Sequence, residues 1–116
     1  MKVNYELKSK FLLTPEELEE LDWLHYEDGQ MFKYLIRKDK IGMVILAKNG
    51  DGLILSWGLI FERDDTMTYF CWTRKDYRRQ GIGAALWKIA VDSFGNNFSV
   101  SRHNIQAKRF YDSVGA

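Results

Sequence analysis

A run of strand-forming residues, Thr66 to Thr73, leads through a basic turn into Gly81-Ile82-Gly83 and directly on into an amphipathic helical pattern. Two glycines at the start of a helix narrow the options for this chain more than any other feature. Without Cβ atoms the first backbone N–H groups stay open to close approach, and the helix dipole adds positive potential at the same point. Arg74, Lys75, Arg78 and Arg79 stand just ahead of the glycines. An anion, most naturally a pyrophosphate, suits such a turn. Two familiar nucleotide motifs fail here: one requires a glycine or alanine where Leu86 stands, and the other a Gly-Lys-Ser/Thr that the chain lacks.

The remaining periodicity reads as one α/β unit over residues 1–116. Residues 2–8 can open as a strand. Thr14-Pro15-Glu16-Glu17 then supplies an N-cap, a proline at the first helical position and the acid of a capping box. The following helix, Pro15 to Tyr26, has Leu18, Leu21 and Leu24 as its apolar stripe, with Glu16, Glu17, Glu19, Glu20 and Asp22 expected in solvent. A second helix is expected from Gln30 to Arg37. Ile41 to Ala47, Leu53 to Glu62 and Thr66 to Thr73 are rich in β-branched and aromatic residues. Asn49-Gly50-Asp51-Gly52 and Arg63-Asp64-Asp65 supply turns between them, so the three strands should be antiparallel neighbours. Ile82, Ala85, Leu86, Ile89 and Ala90 recur at helical spacing, and Gly95-Asn96-Asn97 ends that run. A short strand, Phe98 to Ser101, and a last helix, Asn104 to Ser113, complete the chain.

The net charge of +1 gives no general attraction to nucleic acid or to a membrane, and no apolar run approaches the ~18 residues of a span. The charge is unevenly spread. Residues 1–30 hold three basic and eight acidic side chains, residues 74–116 eight basic and three acidic. The lone cysteine, Cys71, cannot form an internal disulfide, and MKVNYELKSK lacks the apolar stretch of a secretory signal, so a cytoplasmic location is expected. His25 and His103 have no partner at metal-ligand spacing, and no metal is expected. The four tryptophans, Trp23, Trp57, Trp72 and Trp87, read as core residues.

Arg78-x-x-Gly81-x-Gly83 resembles the GNAT superfamily of acetyl-CoA-dependent N-acetyltransferases. The resemblance extends to Cys71-Trp72-Thr73 and Tyr77-Arg78 before the glycines, and to Asn104, Ala107, Phe110-Tyr111 and Gly115 after them. It implies a mixed, mostly antiparallel twisted sheet flanked by helices. It also implies acetyl-CoA as cosubstrate, held at its pyrophosphate by the amides of Arg79, Gly81, Gly83 and Ala84 with the Arg78 side chain assisting. The pantetheine arm would pair with Cys71, Trp72 and Thr73, and Asn104 would hold it from the other side. Tyr111 is the implied general acid, since a phenol is protonated at neutral pH. The implied acceptor is an amine on a small molecule or a protein.

Some members carry a glutamate on the strand before the glycine loop, but Met67-Thr68-Tyr69-Phe70 has no carboxylate; Glu62, Asp64 and Asp65 are the nearest acids and read as turn residues. Members of this superfamily also usually continue through two further strands beyond the position of Gly115. Either the chain is a minimal version of that fold, or a partner, most simply a second copy forming a homodimer, covers or completes the sheet edge. Two other readings stand beside the enzyme: an acyl-CoA-binding or protein-interaction module on the same fold, and a nucleic-acid binder using the Arg74 to Arg79 cluster, which the near-neutral charge disfavours.

Overall fold

The computed structural model describes residues 2–28, 42–102 and 104–116. The expected helix Gln30 to Arg37, and His103, lie outside these residues. Five strands, β1 (Asn4–Ser9), β2 (Gly42–Lys48), β3 (Ile54–Arg63), β4 (Thr66–Thr73) and β5 (Ser99–Val100), form a single sheet in sequence order. The first four pair antiparallel, while β5 lies parallel to β4. That reversal requires a crossover, which α2 (Ile82–Phe94) provides. The other helices are α1 (Pro15–Asp28) and α3 (Ile105–Ser113).

Turn chemistry fixes the registers. Asn49 Oδ1 accepts from the N–H groups of Asp51 (2.9 Å) and Leu53 (3.0 Å), closing the β2–β3 connection. Asp64 and Asp65 have φ of 51° and 60°, the paired left-handed geometry that suits a two-residue hairpin between Arg63 and Thr66. The sheet is covered on both faces, which explains the near-continuous apolar runs of β2 and β3. One face packs α1 through Leu21 and Leu24 against Val44, Leu46, Trp57, Leu59 and Trp72. The other packs Ile82, Leu86, Trp87 and Ala90 of α2 and Tyr111 of α3 against Ile45, Leu55, Ile60 and Tyr69.

The structure corrects several local expectations. Leu18 is half-exposed and Trp23 is 54% exposed, so the core stripe of α1 is carried by Leu21 and Leu24. Glu17, expected in solvent, is buried. It completes the capping box with Thr14, accepting from the Thr14 N–H (2.8 Å) while its own N–H donates to Thr14 Oγ1 (3.1 Å). The same carboxylate receives Lys8 Nζ (2.8 Å) from β1 and Lys48 Nζ (2.6 Å) from β2, so a capping residue also pins the helix to two strands. The strand at Phe98 to Ser101 shortens to Ser99–Val100.

Burial alone would raise the Glu17 carboxyl, but hydrogen bonds from Lys48, Lys8 and the Thr14 amide more than offset it and hold the group at about 2, against a usual 4.5. A depressed carboxyl contributes stability in full above its unfolded value and loses it as pH falls through the folded one. The folded chain should accordingly lose on the order of 3 kcal/mol between pH 4.5 and 2 from this group. Urea unfolding of the wild type and Glu17→Gln across that window checks it; parallel pH profiles for the two would refute the assignment.

Candidate functional site

The site is built where β4 and β5 separate. Their parallel pairing covers only Thr68↔Ser99 and Tyr69↔Val100, so from Phe70 to Thr73 the outer edge of β4 has no strand partner among the described residues. Just past the strand, the Arg74 N–H donates to the Leu55 carbonyl (2.8 Å), in register with the Trp57↔Trp72 pair. Alternation then turns the backbone groups of Cys71 and Thr73 outward. An extended ligand can hydrogen-bond there as another strand would.

That edge runs into the glycine loop. Gly81 is the N-cap of α2 with φ of 80°, and a Cβ there would meet nothing within 4 Å, so its glycine answers to backbone conformation and to open space in front of the helix. Arg79 is also left-handed, at φ 64°, an uncommon conformation for a long side chain. Gly83 serves differently: a Cβ there would lie 3.1 Å from Phe110 Cε1. Its missing side chain lets α3 close against the first turn of α2. Ala84, on that same turn, is exposed.

Other expected site residues are placed as follows. Arg78 Nε donates to the Thr73 carbonyl (2.9 Å), folding the guanidinium back over the end of β4. Trp72 turns its side chain to the α1 face. The alternation that turns Cys71 and Thr73 outward turns its backbone groups to β3, where its carbonyl also accepts from Ser56 Oγ (2.7 Å), so the expected contact of Trp72 with a ligand on the outer edge is not made available. The Thr73 hydroxyl is shared with Ser56 Oγ (2.8 Å). Asn104 caps α3, its Oδ1 accepting from the Ala107 N–H (2.8 Å), which leaves its NH₂ as the group able to donate to a ligand. Tyr111 is buried, its ring edge-on to Tyr69, Trp87 and Phe110 and its hydroxyl 3.9 Å from Cys71 Sγ. Burial, and next the neighbouring Cys71, push that hydroxyl well above the ordinary phenol range, which keeps it protonated.

Asp64 and Asp65 occupy the hairpin at the far end of β4, about 20 Å along the strand from Cys71. The structure does not bring them to Tyr111. Among the described residues no cluster of three or more His, Cys, Asp or Glu could hold a metal ion, and no helix is long and apolar enough to cross a membrane. A groove of about 350 Å³ between α2 and Val114 shares only Ala84 with the site.

Two contacts escape sequence reasoning. Arg74, which reads as part of an anion-binding cluster, is committed elsewhere: Nε donates to the Ile54 carbonyl (2.6 Å) and its guanidinium pairs with Glu20 (3.2 Å). Glu20 also accepts from the Ile54 N–H (2.7 Å), tying α1 to the base of the loop. The Cys71–Tyr111 contact joins positions 40 residues apart, and no local signal announces it.

A sheet splayed beside a glycine-started helix, with a buried phenol at the splay, is the acyltransferase architecture that the glycine motif implies. The chain belongs to the acetyltransferase (GNAT) family, whose sequence model matches residues 3–116. No curated protein matches its sequence. Among solved structures it is similar to a provisionally named acetyltransferase from Exiguobacterium sp. 255-15, at 16% identity, with a TM-score of 0.72 over 99% of this chain and 85% of that one. It is also similar to the ribosomal-protein-alanine N-acetyltransferase from Brucella melitensis biovar Abortus 2308, at 16% identity and a TM-score of 0.69, covering 100% and 92% of the two chains. A third, a provisionally named acetyl transferase from Pyrococcus furiosus, has 17% identity and a TM-score of 0.67, covering 97% and 93%. At such identities these likenesses establish the fold.

Proposed function

We propose that this protein transfers the acetyl group of acetyl-CoA to an amine by direct attack. The observation that carries the reading is the continuous path from the outward amides of Cys71 and Thr73 to the open N-terminus of α2 at Gly81, with the protonated Tyr111 hydroxyl buried beside it. Acetyl-CoA supplies the activated thioester. The amides of Arg79, Gly81, Gly83 and Ala84 and the helix dipole hold its pyrophosphate, with the free guanidinium nitrogens of Arg78 assisting. Cys71 and Thr73 pair with the pantetheine arm, and the NH₂ of Asn104 faces it. Binding of this kind fixes the carbonyl for attack.

The acceptor nitrogen attacks the thioester carbonyl carbon, forming C–N as C–S breaks. Tyr111 donates its proton to the departing sulfur, and the proton released by the acceptor nitrogen passes to water, from which the phenol is restored. The Tyr111 hydroxyl meets the Cys71 sulfur rather than a carboxylate, so the acceptor is expected to arrive as the neutral amine. The same observation favours a second reading, a CoA-binding module without turnover.

The first test is thermal unfolding with acetyl-CoA, CoA and ATP. At a hundredfold excess over its dissociation constant, acetyl-CoA should add ~2.7 kcal/mol and raise the midpoint by on the order of 10 °C. CoA should do likewise and ATP far less. Release of CoA thiol with a peptide bearing N-terminal alanine, a lysine peptide and spermidine then separates the enzyme from the silent module. A folded protein with no shift from either CoA species would sink both readings.

A further inference from the structure

Three groups capable of hydrogen bonding converge behind the outer edge of β4 in otherwise apolar surroundings: the hydroxyls of Tyr69 and Tyr111 and the thiol of Cys71. Tyr111 Oη lies 3.9 Å from Cys71 Sγ. The Tyr69 hydroxyl is buried beside the same thiol and makes no hydrogen bond of ordinary geometry; it lies over Gly58, where a Cβ would come within 3.0 Å of it. From the other elements, Trp87 of α2 packs edge-on to the Tyr111 ring, and the Arg102 guanidinium, ahead of α3, lies 6.0 Å from its centroid.

A fully buried hydroxyl normally finds an oxygen acceptor, because leaving a buried donor unpaired carries its full desolvation penalty. Tyr111 instead has a sulfur, which accepts hydrogen bonds only weakly. We propose that Cys71 is a positioning residue: its sulfur holds the Tyr111 hydroxyl toward the outer edge of β4 and yields it to the sulfur of CoA when the thioester binds. The inference rests on the acetyltransferase reading above. Exchanging one sulfur for another costs little, whereas an oxygen acceptor at Cys71 would have to be broken at each turnover. Burial pushes the Cys71 thiol up to about 11, although the two tyrosine hydroxyls act to lower it, so the sulfur remains neutral and does not compete as a thiolate.

Cys71 is the only cysteine, so the protein has a single S–H stretching band, and acetyl-CoA, having no S–H, adds none. Infrared spectra of the full chain, with binding followed by calorimetry on the same samples, test the exchange. In the wild type acetyl-CoA should move the band to the position it occupies in Tyr111→Phe, and in Tyr111→Phe it should bind without moving it further. Cys71→Ala should lower kcat about fivefold in the wild type and leave Tyr111→Phe unchanged, the non-additivity of two groups acting as one. Binding with the wild-type band unmoved would overturn the proposal, and that arm needs no variant to fold. An equal shift in Tyr111→Phe would overturn it too. Failure of acetyl-CoA to bind at all would remove the acetyltransferase reading itself, and this inference with it.

Discussion

Gly81→Asp should abolish detectable binding of acetyl-CoA while leaving the protein folded. The substitution places a carboxylate at the N-terminus of α2, where the proposed ligand brings its pyrophosphate. Two like charges about 4 Å apart repel by about 4 kcal/mol at an effective dielectric near 20, roughly a thousandfold in affinity. Stability should change far less. Position 81 is an N-cap, which aspartate suits, and its φ of 80° is one that aspartate tolerates better than most residues. A Cβ there meets no neighbour within 4 Å. Gly81→Ala carries the same conformational cost without the charge and should keep most of the affinity. Calorimetry on the three proteins decides the matter; binding by Gly81→Asp within threefold of the wild type would place the pyrophosphate elsewhere.

Tyr111→Phe should do the reverse. It keeps the ring that packs on Tyr69, Trp87 and Phe110 and removes only the proposed proton donor. Loss of a general acid costs about 10²–10⁴ in kcat, and the dissociation constant for acetyl-CoA should hold steady. The pH profile carries a second signature. Because the acid form acts and its pKa is raised by burial, the wild-type rate should show no alkaline fall from Tyr111 below about pH 10. An unchanged kcat in Tyr111→Phe would remove the tyrosine from the chemistry.

How much of this was legible depends on the range of the interaction. Thr14, Glu17, Asn49, Asp64, Gly81 and Gly95 act on backbone within a few residues, so caps and turns could be read in place. Glu17 shows the limit. Its local role in the capping box was visible, but the lysines that bury it come from β1 and β2, and no spacing rule links them. Gly83 was legible as a glycine and misread as to cause, since Phe110 comes from another helix. Trp72 and Cys71 are neighbours in sequence and face opposite sides of the sheet, which alternation predicts; which side holds Tyr111 follows only from the crossover through α2. The order of the glycine and Asn104–Tyr111 motifs carried the fold because each belongs to an element edge that the topology brings to the splay.

The half-paired β4 has a consequence outside catalysis. A strand with outward amides at Cys71 and Thr73 is a template for any extended segment that can reach it, including the edge of another molecule. On the proposed reading the pantetheine arm occupies those same groups, so the ligand also acts as a guard against self-association. On that reading, solubility and cosubstrate supply become linked through one strand edge.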